Sequence, residues 1–271
     1  MSSFTSAWLA LREPADALAR WHDAAVGAAR LPALAGRAKI IDLGSGSGAN
    51  LRYLAPRLGC AHDWILVDQD PALLRQALAR AAALPYVHSV APLTLDLAAD
   101  LDSLPLADAS LVTASAVLDL VSEDWLEALV GRCRSHALPM LFALTYDGMI
   151  HCEPAHADDA YVRGAVNAHQ RRDKGFGPAL GPIAAGRAES VLQRHGYRVL
   201  AAASPWRLRP EDAELQRALI DGWEGAAAEE QPSSVGRIGA WAQSRRSWLQ
   251  AGRSSVSVGH TDLLAIPQVA D

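Results

Sequence analysis

Residues 40–50, IIDLGSGSGAN, join a β-branched run to a stretch of helix formers through glycines at 44, 46 and 48. This junction constrains the fold more than any other feature. A parallel strand that turns directly into a helix brings the unpaired N–H groups and partial positive charge of the helix N-terminus to its carboxyl end, and glycines let the backbone approach a ligand closely. The loop therefore reads as a nucleotide-type site on an α/β sheet. Its spacing leaves the kind of nucleotide open. Gly44, Gly46 and Ala49 satisfy the dinucleotide pattern G-x-G-x-x-G/A, and Asp68, 24 residues beyond Gly44, stands near the place of a ribose-binding acid.

The surrounding pattern supports the sheet. AKIIDLG, DWILVDQD, SVAPLTLDL, SLVTASAVL and LPMLFALTY are short apolar runs expected as strands one to five. Between them lie helical patterns. NLRYLAPRLG repeats Leu51, Leu54 and Leu58 before a helix-ending Gly59; PALLRQALARAAAL places Leu74, Leu78 and Ala82 on one face after Pro71; DWLEALVGRCR is a third. This alternation implies a parallel sheet covered by helices on both sides. AAGRAESVLQRHG, a helix, and YRVLAAASPW and SVSVGHTDLLAIP, strands, resume it later in the chain. We read one domain over 1–271, with an N-terminal helical segment at 1–36 broken before Pro14. A polar, lid-like insertion fills 147–182 with one short helix near 159–170, and a helical insertion fills 209–252.

Two acids separate the cofactor classes. Asp42 precedes the first glycine, where it would be unwelcome beside a pyrophosphate but suits a ligand carrying an ammonium group; Asp96 ends LTLDL, where it can accept from an adenine amino group. With Gly48 extending the alternation, IDLGSGSG, ILVDQD, LTLDL and ASAVLDLVSEDW resemble the successive motifs of the class I S-adenosylmethionine-dependent methyltransferases, over about 38–147, 184–207 and 255–267. The resemblance implies a three-layer, Rossmann-like sheet, mostly parallel with a final antiparallel strand. It also implies S-adenosyl-L-methionine as cofactor, with Gly44, Ser45, Gly46, Gly48 and Asn50 around its methionine and ribose portions. Asp68 would bind the ribose hydroxyls, Gln69 would lie beside the adenine, Asp96 with the Leu97 backbone would read the adenine amino edge, and Ser115 would face the sulfonium. Asp42 would support the loop or reach the amino group through water. The sequence departs from the family where Asp119 follows Leu118, a place where many members carry an aromatic or other polar residue, so the acceptor side is not readable from that motif.

Methyl transfer from a sulfonium is an in-line displacement that depends largely on positioning, and a base is needed only when the acceptor must lose a proton. Tyr146 and Asp147 follow the fifth strand at the reactive edge, and His169 lies in the insertion; these three are the candidate catalytic residues. A tyrosine packed at a strand end, an aspartate in a turn with Gly148 and a solvated lid histidine are the alternatives. His151, Cys152 and His156 lack the spacing of a metal site, and no metal is expected. Four arginines without an acid between Arg237 and Arg253, interleaved with Trp241 and Trp248, could grip an anionic or aromatic acceptor or stack on bases, or could form an amphipathic helix with solvated arginines.

The totals narrow the function. With 25 basic and 30 acidic residues the net charge is −5, which argues against a nucleic-acid partner. Three widely spaced cysteines fit a reducing compartment, and no apolar run reaches membrane-spanning length, so the expectation is a cytoplasmic enzyme acting on a small-molecule acceptor, by O- or N-methylation. An NAD(P)-dependent oxidoreductase, an RNA methyltransferase and a cofactor-binding protein without catalysis are the competing readings. The first leaves Asp42 and Asp96 unexplained. Oligomeric state is not readable.

Overall fold

The computed structural model describes residues 5–81 and 84–268. Its strands are β1 (Ala38–Leu43), β2 (His62–Asp68), β3 (Val87–Thr94), β4 (Leu111–Ser115), β5 (Met140–Glu153), β6 (Tyr197–Ala203), β7 (Trp206–Leu208) and β8 (Ser255–Pro267). They form one sheet in the order β3-β2-β1-β4-β5-β8-β6, with β7 paired to the start of β8. The pairs from β3 to β5 are parallel, whereas β8 runs antiparallel to both β5 and β6, the arrangement expected from the sequence. Chain order reverses between β1 and β4, and a crevice opens at the carboxyl ends of strands at such a point.

Both faces of the sheet are covered. Ile40, Trp64, Leu66 and Leu264 pack under α2 (His22–Ala29), α3 (Ala49–Leu58) and α4 (Pro71–Ala81). Ile41, Leu43, Val112 and Phe142 pack under α5 (Glu123–Ser135) and α7 (Ala184–Arg194). This two-sided burial explains why β1 and β4 read as continuous apolar runs. A third core joins the far half of β5, β7 and the start of β8 to α1 (Ser6–Ala19), α6 (Asp159–Gln170), α8 (Ala213–Glu230) and α9 (Val235–Gln250).

Four local expectations are corrected. The N-terminal helix does not break before Pro14. A proline deletes one ladder hydrogen bond, and the Arg12–Asp16 pair at 2.9 Å spans the defect, so α1 continues to Ala19. The break falls at Trp21, whose N–H donates to Asp262 at 2.9 Å. The fifth strand does not stop at Tyr146 but bulges at Asp147–Gly148 and continues to Glu153. Ile150 and Cys152 are buried and Met149, His151 and Glu153 exposed, a two-residue period interrupted by the bulge. The expected strand over 197–206 is split at Ser204–Pro205 into β6 and β7, Pro205 having no N–H for the ladder. The buried face of α4 is Leu73, Leu74, Ala77 and Ala81; Leu78 is only half-buried, and Ala82 lies outside the described residues.

Candidate active site

The glycine loop leaves β1 at the switch point. Gly44, Gly46 and Gly48 have φ of 60°, 51° and 82°, left-handed values that side chains avoid. Space is also restricted: a Cβ on Gly44 would meet Val117 Cγ2 at 2.8 Å, and one on Gly46 would meet Leu9 Cδ1 at 3.1 Å. The loop is thus wedged between the segment after β4 and the first turn of α1. Asp68, at the end of β2, holds it from below, accepting the Gly46 N–H at 2.8 Å and the Asp70 N–H at 2.9 Å. Burial raises the Asp68 pKa from the usual carboxylate value, against the pull of those N–H groups.

Asp42 points inward. It is fully buried, and its Oδ1 accepts from Asn50 Nδ2 at 2.6 Å. Asn50 also donates to Thr113 Oγ1 at 3.1 Å and accepts from the Arg20 guanidinium at 3.0 Å, so Asp42 and Asn50 tie β1, α3, β4 and the end of α1 together. Burial pushes Asp42 up to about 7, with Asn50 and Arg20 opposing and the nearby Asp68 charge adding. Among the described residues, Asp42 Oδ2, Ser45 Oγ and Ser47 Oγ are buried without a hydrogen-bond partner. The remaining expected cofactor residues surround the loop. Gln69 is exposed just beyond Asp68; Asp96 is exposed in the turn after β3 and accepts the Ala98 N–H at 3.0 Å; Leu97 is buried and its carbonyl accepts from Trp125 Nε1 at 2.7 Å. Ser115 ends β4, followed by Ala116 at φ 55°, and Leu144 on β5 has φ 53°; two non-glycine residues in the left-handed region mark the crevice as locally strained.

Above the crevice lies α1. A cavity of about 160 Å³ is enclosed between Glu13, Asp16 and Arg20 on the α1 side and Asn50, Arg52 and Ser115 on the sheet side. Arg52 pairs with Glu13 at 2.6 Å and fastens the cover. This helix thus lies on the cleft.

The three catalytic candidates are not joined by any hydrogen bond among the described residues. The Tyr146 phenol donates to Asn167 Oδ1 on α6 at 2.7 Å, and burial, with Asp147 and Asp119 adding, raises its pKa so that it stays protonated. Asp147 accepts the Met149 N–H at 2.9 Å and packs under Gly259. His169 sits on the last turn of α6, its Nε2 3.0 Å from Glu229 of α8. The 147–182 segment is largely built into the third core through β5 and α6; its loop part docks at the crevice, with the N–H groups of Leu180 and Gly181 donating to the carbonyls of Val121 and Asp119 at 2.8 and 2.9 Å.

A different polar cluster occupies the acceptor side. Asp119 follows β4, its Oδ1 buried without a partner among the described residues. Burial pushes it up to about 6, opposed by its own N–H, the charges of Arg12 and Lys174, and the Tyr146 N–H. His260 on β8 faces Trp206, ring centres 5.0 Å apart, and burial with the Arg12 charge lowers its pKa to about 3, which keeps the ring neutral. Arg12 stacks over Trp206 at 5.1 Å. Arg12, Asp119, Lys174, Trp206 and His260 come from five segments, and only the departure at Asp119 gave a sequence signal.

In the arginine and tryptophan tract of α9, Arg245 and Trp241 turn inward while Arg237 stays exposed. Arg245 is buried, donates to the Pro154 carbonyl at 2.6 Å and pairs with Asp159, which also accepts from Trp241. Arg237 pairs with Asp158 and lies over Tyr161, and Arg246 pairs with Asp221 and Glu224.

The donor set fits S-adenosylmethionine: an acid at the end of β2 for ribose hydroxyls, orphaned serine hydroxyls in a glycine cradle, and an exposed acid after β3. Residues 40–139 match the family model described as a methyltransferase domain. No curated relative matches the chain in sequence. Among solved structures, a geranyl diphosphate methyltransferase in complex with GPP and sinefungin is 12% identical, with a TM-score of 0.50 over 92% of this chain and 78% of that one. A methyltransferase from Geobacter sulfurreducens with S-adenosyl-L-homocysteine is 15% identical, at a TM-score of 0.47 over 91% and 90% of the two chains. The cyclopropane synthase MmaA2 from Mycobacterium tuberculosis is 12% identical, at 0.48 over 90% and 82%. At such identities the comparison concerns the fold alone, and of these three the geranyl diphosphate methyltransferase, at 0.50, supports it. The matched methyltransferase domain over residues 40–139, the β1 and β4 switch point and the glycine cradle together support a class I S-adenosylmethionine-dependent methyltransferase.

Proposed function

We propose that this methyltransferase acts on a small-molecule acceptor, and the observation that carries the reading is the roof over the reactive edge. α1 lies on the glycine loop through Leu9 and Glu13, and the loop ending at Gly181 lies on the turn at Asp119. A polymer needs an open groove; a roofed crevice suits a ligand that can be enclosed, since small-molecule sites bury most of their ligand. The burial of Arg245 against Asp159, and the pairing of Arg237 and Arg246 with Asp158, Asp221 and Glu224, support the same reading, because each of these cations is met by an acid of this chain. No helix among the described residues is long and apolar enough to cross a membrane. The free cysteines Cys60, Cys133 and Cys152 support a reducing, cytoplasmic setting.

Within the crevice, the cofactor supplies a methyl group on a sulfonium. In our reading Asp68 receives the ribose hydroxyls on lone pairs not used by Gly46 and Asp70, a carboxylate having about four acceptor sites. Gln69, Asp96 and Leu97 line the adenine, Gly44, Ser45, Gly46 and Gly48 the remainder, and Ser115 the sulfonium side, while Asp42 and Asn50 hold the loop from within. The test is thermal unfolding with S-adenosylmethionine, S-adenosylhomocysteine or NADPH, followed by calorimetry of a panel of acceptors and of short RNA against the S-adenosylhomocysteine complex. Saturating S-adenosyl ligands should raise Tm by about 5–10 °C, corresponding to about 2.7 kcal/mol at a hundredfold excess over Kd. RNA binding tighter than every small acceptor would overturn the reading.

A further inference from the structure

We propose that Asp119 is the catalytic residue that contacts the acceptor and takes its proton, and that the reacting group of the acceptor is a neutral hydroxyl. The proposal rests on the small-molecule reading above and specifies its chemistry. Asp119 lies two residues beyond Val117, which a Cβ on Gly44 would meet, so the turn that carries it adjoins the glycine loop. One of its oxygens is buried with no partner among the described residues, whereas buried acceptors in folded proteins are nearly always bonded. An oxygen kept in that state within a crevice is a place for a donor from outside the chain.

The neighbouring groups decide what that donor is. Arg12 from α1 and Lys174 from the loop act on Asp119 with positive charge. Arg12 is already held by Asp16, and Lys174 is half-buried and has no ion pair or side-chain hydrogen bond among the described residues. Lys174, the cation left without an ion pair among the described residues, repels an ammonium acceptor and stabilises negative charge developing on oxygen. The other titratable groups nearby do not compete for the proton: the Tyr146 phenol is protonated and bonded to Asn167. His260 is neutral, with a pKa of about 3, and too weakly basic to retain the proton. In the step, the acceptor oxygen forms a bond to the methyl carbon as the bond from that carbon to sulfur breaks. The bonding pair stays on sulfur, giving S-adenosylhomocysteine, and the hydroxyl proton passes to an oxygen of Asp119.

The experiment uses the full chain saturated with S-adenosylhomocysteine and two probes, phenol and benzylammonium, titrated calorimetrically. Phenol should bind at least tenfold more tightly than benzylammonium, and Asp119→Asn should weaken phenol about tenfold while leaving S-adenosylhomocysteine affinity within about twofold. Phenol affinity of the wild type should fall as pH drops through the Asp119 titration and stay level in Asp119→Asn. Lys174→Gln, at a residue with no side-chain bond to lose, should weaken phenol without changing unfolding and covers the case in which Asp119→Asn misfolds. Equal or tighter benzylammonium binding, or phenol affinity unchanged in Asp119→Asn, would overturn the proposal. Failure of both probes to bind would count against the small-molecule reading beneath it.

Discussion

The carboxyl edge of the sheet and the insertion built from α6, α8 and α9 both bury charged and polar side chains, yet they treat them in opposite ways. In the insertion Arg245, Trp241 and Asp159 satisfy one another, and Arg245 leaves only its Nε without a partner. At the sheet edge the atoms without partners among the described residues include Asp42 Oδ2, near the end of β1, and Ser45 Oγ, Ser47 Oγ and Asp119 Oδ1, on the loops after β1 and β4. A bonded buried charge organises a scaffold, whereas a group of orphaned acceptors at one edge is stable only where something else completes it. In sequence the arginine tract read either as a binding surface or as an amphipathic helix with solvated arginines. Satisfaction of hydrogen bonds, which depends on three-dimensional neighbours, decided that Arg245 belongs to the scaffold.

Substitutions in the two regions should separate stability from binding. The largest effect on stability is expected from Arg245→Ala, which leaves Asp159 and the Pro154 carbonyl without their cation; urea unfolding should show a loss of about 3 kcal/mol, with S-adenosylhomocysteine affinity retained by the protein that remains folded. Asp68→Ala should do the converse. Loss of two charge-assisted bonds predicts a fall in cofactor affinity of about a hundredfold or more, with little change in unfolding, and unchanged calorimetric affinity would remove Asp68 from the ribose site. Gly44→Ala lies between, since it strains the loop and meets Val117. A cost of about 1–3 kcal/mol is expected, and the double variant with Val117→Ala should recover the steric part while retaining the backbone part.

A pH dependence of stability sharpens the contrast at Asp42. Its folded pKa is raised to about 7, so between its ordinary value of 3.8 and about 7 the native state holds more protons than the unfolded chain. Stability should therefore decline as pH rises through that window and level off above it, the opposite of a salt-bridged carboxylate. Asp119, raised to about 6, contributes in the same direction over the lower part of the window. Asp42→Asn should flatten the profile measured by denaturant unfolding from pH 4 to 8; an equally steep profile would mean that Asp42 is charged in the fold through most of that range.

The strands that carry the cofactor loop were legible because their signals are local. Ile40, Ile41 and Leu43 needed only β-branched and apolar character next to glycines, and the Leu51, Leu54 and Leu58 spacing needed only a helical period. Where a local signal was interrupted, the reading failed. Asp147 and Gly148 looked like the end of a strand and are a bulge within it, because pairing with β8 resumes at Ile150. Pro14 looked like a break and is held inside α1 by a pair across it.

What the sequence determined by itself is the α/β alternation and the glycine loop with its flanking acids, since turn chemistry and periodicity are written in consecutive residues; the antiparallel last strand and the S-adenosyl ligand came from the family resemblance. Tertiary structure decided which charges are spent inside the molecule and which are left for a ligand. Arg12 meets the field of Asp119 only after α1 folds back over β4, and Trp206 closes on His260 only when β7 pairs with β8. The physical reason is that burial raises or satisfies a charge according to everything packed around it, and those neighbours come from parts of the chain far apart in sequence.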